Sequence, residues 1–190
     1  MQLLENKKGI IKVSKYFLLV ALFVCASLNV FGCNKENNDQ QQTSATYSST
    51  QEENKAPDFS LVSTDGKKIN LSDYKGKIVI LDFWATWCGP CRRGIPDLVS
   101  IQKTYGDKVI VIGISLDDDR TKNDVVPFLK EYEVNYPVVY GTSEVVMNYG
   151  GIRAIPTSFI IDQKGNVVDK YMGLVSKEIF VGRIKDLSGS

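Results

Sequence analysis

The sequence contains no histidine. That absence removes Ser-His-Asp and Cys-His nucleophile systems, and with them the commonest metal ligand. Cysteine is scarce as well: only Cys25, Cys33, Cys88 and Cys91 occur. A structural zinc site wants four Cys or His ligands; only Cys88 and Cys91 stand in the globular part of the sequence, so zinc is excluded there apart from a site shared between copies of the chain. Charge of one sign is missing too. A formal net charge of +1 with no basic stripe excludes a nucleic-acid footprint. The first apolar run, Tyr16–Phe31, has 16 residues, short of the roughly 20 that span a bilayer as a helix. Residues 34–56 hold no Leu, Ile, Val or Phe at all. Such a segment buries too little surface to offset chain entropy and is expected to stay disordered. The remainder is ordinary globular material, and the 43% hydrophobic content allows one domain with a sizeable core.

The N-terminus carries the marks of export. Lys7, Lys8, Lys12 and Lys15 precede the apolar run, the pattern of a secretory signal peptide. The run ends in "VFGC", Val30 to Cys33, which resembles the lipobox of bacterial lipoproteins. That resemblance implies a signal peptide over 1–32 and a lipid on Cys33; an uncleaved anchor or ordinary signal-peptidase cleavage nearby are the alternatives. Cys25, inside the apolar segment, reads as a small hydrophobe. Cleavage would remove four lysines and one glutamate and leave a slightly acidic chain. Electrostatic attraction to anionic lipid is then not expected, and acyl chains have to supply the anchorage. Residues 33–56 form the tether, with an end-to-end distance of roughly 25 Å, and 57–190 the folded domain.

Within that domain the periodicities are plain. "PDFSLVSTDGKKINLSDYKGK" reads as two short strands around an Asp65-Gly66 turn. "IVILDFW", Ile78–Trp84, is too short for a helix and too apolar for an exposed strand, so it predicts a buried one. Ile95, Leu98, Val99 and Tyr105 recur at helical spacing, and Pro96 among them is expected to kink the helix. "VIVIGISL" predicts a second buried strand, parallel to the first. A short helix, "VVPFLKEYE", a short strand, "YPVVY", and another short helix, "SEVVMNYG", follow. "TSFIID" and "VVDKYMG" form a hairpin, and Phe180, Ile184 and Leu187 a closing helix. The whole predicts an α/β fold: a central mixed sheet flanked by helices.

Cys88 and Cys91 stand at the junction of the buried strand and the helix. A structural disulfide across so short a loop would be a poor staple, so a redox-active pair is expected. The thiolate is the attacking species, and a free cysteine is only about 3% ionised at pH 7. Unpaired amides and the dipole at a helix N-terminus favour the anion; a pKa near ~7 would make about half of it reactive. Cys88, at the mouth of the helix, is expected to be the exposed nucleophile. Cys91, one turn inside, is the shielded thiol that resolves the mixed disulfide. Pro90 suits the first turn, where its missing N–H is not needed. Asp82 lies in the apolar strand six residues earlier. Burial would raise its pKa and equip it to take the proton of Cys91, directly or through a water; an exposed or hydrogen-bonded strand-end Asp is the alternative. Ile155-Pro156 marks a tight turn that allows, without requiring, a cis bond.

"LDFWATWCGPC" and "IRAIPTSFIID" together resemble the two landmark segments of the thioredoxin superfamily, over about Pro57 to Leu187. The resemblance implies a thioredoxin-like fold, with Cys88 as nucleophile, Cys91 as resolving thiol and Asp82 as the buried aspartate. It implies a cis Pro156 beside the disulfide and the backbone of Ile155 pairing with an extended substrate segment. Trp87, Gly89 and Pro90 would border that substrate, while Trp84 packs structurally. The export signal and the opening β-hairpin are similar to the extracytoplasmic TlpA/ResA-type branch. So is the long gap between Cys91 and Pro156, which leaves room for an insertion around Thr121–Tyr140. Members of that branch commonly act as membrane-tethered reductants, some in cytochrome c maturation. They often carry an acid three places after the second cysteine; here Gly94 stands there. Arg92, Arg93 and the acidic run 117–120 read as solvated.

The implied activity is a lipid-anchored thiol–disulfide oxidoreductase outside the cytoplasm, reducing disulfides of exported proteins. It needs no cofactor and no metal. Its expected partners are disulfide-bearing exported proteins, a membrane electron donor and, through acylated Cys33, the bilayer of a bacterial membrane; no nucleic acid is expected, and the chain is expected to work as a monomer. A disulfide oxidase or isomerase, a peroxiredoxin-like peroxidase, and a binding module without chemistry are the competing readings. The peroxidatic Pro-x-x-x-Thr/Ser-x-x-Cys arrangement is absent.

Overall fold

A computed structural model describes residues 54–189. The expected signal peptide 1–32, Cys33 and most of the tether lie outside the described residues. The apolar run Ile78–Trp84 forms β3, and all seven of its side chains are buried. A strand buried on both faces belongs in the middle of a covered sheet. β3 is central: it pairs in parallel with β4 (Val109–Ser115) on one side and antiparallel with β6 (Thr157–Ile161) on the other. The edges are β5 (Val138–Tyr140), parallel to β4, and β7 (Val167–Met172), antiparallel to β6. The order β5-β4-β3-β6-β7 is the mixed sheet expected.

Helices cover both faces because alternate side chains of β3 point opposite ways. Val79, Leu81 and Phe83 pack with Ile112, Ile114 and Phe159 under α3 (Ser143–Asn148), through Val145 and Tyr149. Ile78 and Ile80 pack on the other face against Leu98 and Ile101 of α1 (Gly89–Tyr105) and Phe180 and Ile184 of α4 (Lys177–Ser188). Trp84 completes that face at its upper end, with Ile95 of α1 and Phe128 of α2 (Val125–Glu131). Each such aliphatic side chain contributes about 1.5–3 kcal/mol by leaving water.

The opening hairpin, β1 (Ser60–Val62) with β2 (Lys68–Asn70), forms its own two-stranded sheet. Leu61 and Leu71 anchor it on the α3 face. A bridge from Ser63 to Val139 and a bond from the Thr64 N–H to the Val138 carbonyl tie it to β5. An unpaired sheet edge is thereby covered. The inserted helix and strand within Thr121–Tyr140 are α2 and β5.

One expectation changes. The fold begins before Pro57: the Asn54 carbonyl accepts from the Val167 N–H, and the Ala56 N–H donates to the Gly165 carbonyl. Backbone pairing needs no apolar side chains, so composition did not reveal it. Pro96 lies inside α1, which runs from Gly89 to Tyr105 without interruption. It and Arg92, whose carbonyl would have bonded the missing N–H, are both exposed, where water can satisfy the lost bond.

Gly113, opposite Asp82 on β4, lets the Trp84 indole lie against the sheet. A Cβ there would fall 3.0 Å from Trp84 Nε1 and 3.2 Å from Val138 Cγ2. Overpacking of this kind destabilises by about 1–3 kcal/mol. Gly113→Ala is therefore expected to lower the unfolding free energy by that amount, read as a lower denaturant midpoint with an unchanged slope of the transition.

Candidate active site

The sequence turns sharply after β3, and Cys88 becomes the N-cap of α1 with extended backbone, φ −81° and ψ 106°. Gly89 and Pro90 form the first helical positions. The Cys88 carbonyl accepts from the Arg92 N–H, and the Cys88 sulfur accepts from the Cys91 N–H at 3.2 Å. The sulfur therefore occupies the place of a capping side chain, where free helix amides and the positive dipole end meet it. Cys88 and Cys91 are joined as a disulfide, with Cα atoms 5.3 Å apart.

The expected contrast in exposure is corrected by the structure. Cys88 is 5% exposed and Cys91 2% in this disulfide form. Cys88 is covered because its sulfur lies 3.6 Å from the carbonyl oxygen of Ile155, across the cis Ile155–Pro156 peptide bond's own loop. Direction separates the two sulfurs rather than accessibility. Cys88 faces the Ile155 loop at the surface, beside Trp87, which is 61% exposed. Cys91 faces inward and lines a small cavity with Asp82, Pro156 and Ser158.

Asp82 reaches that cavity by strand alternation, since it shares the α1 face with Ile78, Ile80 and Trp84. It is 4% exposed. Ser158, its cross-strand neighbour on β6, donates its hydroxyl to Oδ1 at 2.7 Å. Burial pushes the carboxyl up to about 7, against the opposing pull of the Ser158 hydroxyl. The cavity measures about 20 Å³, enough for one water molecule. A carboxyl with that proton affinity, lining the same one-water cavity as Cys91, can exchange a proton with the reduced thiol near neutral pH, directly or through a water.

Three side chains have roles at the site that the sequence did not disclose. Ser158 reads only as a strand residue until β3 and β6 are set in register. Asp117 reads as solvated, yet it accepts from the Thr86 N–H at 3.0 Å and from the hydroxyls of Thr86 and Ser115. It thereby fastens the turn that carries Trp87 and Cys88 to the end of β4. Arg92 is exposed, as read, but it also makes contacts the sequence did not show. Its Nε donates to the Tyr132 hydroxyl at 3.1 Å, and its guanidinium lies over the Phe128 and Tyr132 rings. α2 is held to α1 through that stack.

The raised Asp82 carboxyl links stability to pH. The unfolded chain ionises it near pH 4 while the fold holds its proton until about pH 7. Its cost is thus absent below pH 4, grows between pH 4 and 7, and is constant above, at roughly 4 kcal/mol. Asp82→Asn removes an ionisable group of the same shape. Denaturant unfolding of the oxidised protein should find the variant more stable at pH 8, with the difference vanishing by pH 4.

Comparisons with known proteins agree with this geometry. The model of the AhpC/TSA family matches residues 53–170. The thiol-disulfide oxidoreductase ResA of Bacillus cereus is 38% identical over 133 residues, 70% of this chain and 76% of the relative. Among solved structures, a thiol:disulfide interchange protein of Chlorobium tepidum is 38% identical, with a TM-score of 0.65 over 70% of this chain and 95% of that one. The exposed lipoprotein thioredoxin Etrx1 of Streptococcus pneumoniae is 34% identical, with a TM-score of 0.60 over 69% of this chain and all of that one. With a thioredoxin-like sheet, a helix-capping cysteine pair and these relatives, the chain belongs to the AhpC/TSA family and is a thiol–disulfide oxidoreductase.

Proposed function

We propose that the protein is a membrane-tethered reductant, acting outside the cytoplasm on disulfides of exported proteins. The observation that carries the chemistry is the Cys91 amide directed at the Cys88 sulfur, with Asp82 buried behind Cys91. In the reduced protein the capping amides favour the Cys88 thiolate. That thiolate attacks a substrate disulfide; the substrate S–S bond breaks, and one substrate sulfur leaves with the electron pair and takes a proton from solvent. A mixed disulfide with Cys88 remains. Asp82 then takes the proton of Cys91, directly or through a water. The Cys91 thiolate attacks the Cys88 sulfur, the second substrate sulfur leaves and is protonated, and the Cys88–Cys91 disulfide closes. The substrate has gained two electrons and two protons.

The surroundings suit a polypeptide substrate. Trp87 offers an exposed indole, and the Ile155 carbonyl sits against the sulfur that attacks the substrate. An extended segment laid along Ile155 and Pro156 would bring its disulfide to Cys88, with Gly89 and Pro90 bounding the contact. Gly94 has no side chain to specialise this contact. A general range of exported disulfide proteins is therefore favoured over cytochrome c apoproteins alone.

Tethering rests on the "VFGC" segment and lipidation at Cys33; the similarity to the Streptococcus pneumoniae protein, an exposed lipoprotein, supports it. A reductant outside the cytoplasm needs electrons delivered across the membrane, so a membrane donor is part of the proposal. The reducing direction is supported by the Gly-Pro pair between the cysteines, as in thioredoxin, whose potential is about −270 mV.

Cys91→Ser should trap substrates on Cys88 as mixed disulfides, visible as reductant-sensitive adducts on non-reducing gels. Cys88→Ser should trap none; adducts on Cys91 alone would overturn the assigned order of attack. A glutathione redox titration should place the pair near the thioredoxin value. A potential near −120 mV, that of strong oxidants, would reverse the direction.

A further inference from the structure

Asp82 is held between two influences of opposite sign. Ser158 donates a hydrogen bond to Oδ1, which favours the charged carboxylate. Leu174, in the segment between β7 and α4, lines the same small cavity and is itself 46% exposed. One side of this side chain therefore faces the cavity and the other faces solvent. A side chain so placed stands between the buried carboxyl's cavity and solvent, and water is what would most favour the charged form. No other group offsets the two. The titratable groups facing Asp82 are Cys91 of α1 and Tyr136, ahead of β5, whose own hydroxyl is pushed up first by burial and then by the Asp82 charge. The rest of the cavity lining is Gly, Pro or apolar, with no lysine or arginine.

The seat of Leu174 depends on Gly94. A Cβ at position 94 would fall 3.0 Å from Leu174 Cδ1. The leucine tip thus occupies the space a side chain at 94 would need. The position that lacks a side chain on the helix is filled from across the site by an apolar one.

We propose that Ser158 and Leu174 are positioning residues that set, in opposite directions, how readily Asp82 accepts the proton of Cys91. Ser158 lowers the proton affinity of Asp82 by hydrogen bonding. Leu174, seated on Gly94, raises it by excluding water. The balance leaves the carboxyl partly ionised at neutral pH, able both to take a proton and to release it. The assignment rests on the proposed role of Asp82 in the resolving step.

The test reads Asp82 itself. The full-length chain in its oxidised form, labelled with ¹³C at aspartate carboxyls, is titrated by NMR, with Asp82→Asn identifying the resonance. Ser158→Ala should raise the midpoint by about one pH unit, a tenfold change in proton affinity, and Ser158→Thr should restore it. Leu174→Ala, at a half-exposed position, should lower it by about one unit, and Gly94→Ala should move it the same way by displacing the leucine. The pH dependence of substrate release from the Cys88 mixed disulfide should follow the same shifts. Midpoints that do not move, or that move together in one direction, overturn the proposal. Opposed shifts in a protein that reduces no disulfide would uphold these two assignments and overturn the proposed function instead.

Discussion

The contact between the Cys91 amide and the Cys88 sulfur orders everything around it. It exists because β3 delivers the chain to a sharp turn and Cys88 caps the helix that follows. A capping serine or aspartate would satisfy the same amide with oxygen. Sulfur in that place gains a reactive anion when reduced. The turn has to be held rigidly, since a cap works over hydrogen-bond distances only, and Asp117 supplies the hold from β4 through Thr86. Ile155 closes the other side. The nucleophile is therefore fixed by a central strand, a neighbouring strand and a loop that are distant in sequence.

Reactivity at the surface is matched by a cost inside. Asp82 is the one charged residue in β3, set under α1 among isoleucines and a tryptophan. An apolar residue there would serve the core better once the pH passes about 4, and by the full margin above about 7. The sheet tolerates the carboxyl because Ser158 satisfies one oxygen, and because a small cavity rather than packed carbon faces the cysteine. Around this point packing is tight: the Trp84 indole rests on Gly113, and Phe128 stacks on both Trp84 and Tyr132. The looseness is confined to the place where a proton has to move.

Much of this architecture was legible in the sequence, for local reasons. β3 and β4 announce themselves as apolar runs, α1 and α4 by helical spacing, and the Lys164–Asn166 turn by its glycine. Cys88, Cys91 and Asp82 could be assigned places because each lies within a few residues of the strand–helix junction. What escaped depends on pairings between distant segments. Ser158 meets Asp82 only through the antiparallel register of β3 and β6, and Asn54–Ala56 join the fold mainly through backbone bonds to the β6–β7 turn and the start of β7. Asp117 sits in an acidic run whose composition suggests solvent, but its carboxylate turns back onto Thr86. The covering of Cys88 by Ile155 likewise belongs to the assembled loop and not to either segment alone.

The two acids near the disulfide show why similar residues serve different ends. Asp117 meets an N–H and two hydroxyls, a donor set that fixes the carboxylate in one orientation. Asp82 meets a single hydroxyl and a cavity one water wide, leaving one oxygen uncommitted. A fully bonded carboxylate makes a good strut and a poor proton carrier, because every donor it accepts favours its charge. A sparsely bonded, buried one makes the reverse. The sheet thus places a strut under the turn that carries Cys88 and, in the cavity lined by Cys91, the carboxyl proposed to take its proton. Exchanging the two environments would loosen the turn that carries Cys88 and leave the carboxyl beside Cys91 too well bonded to take a proton.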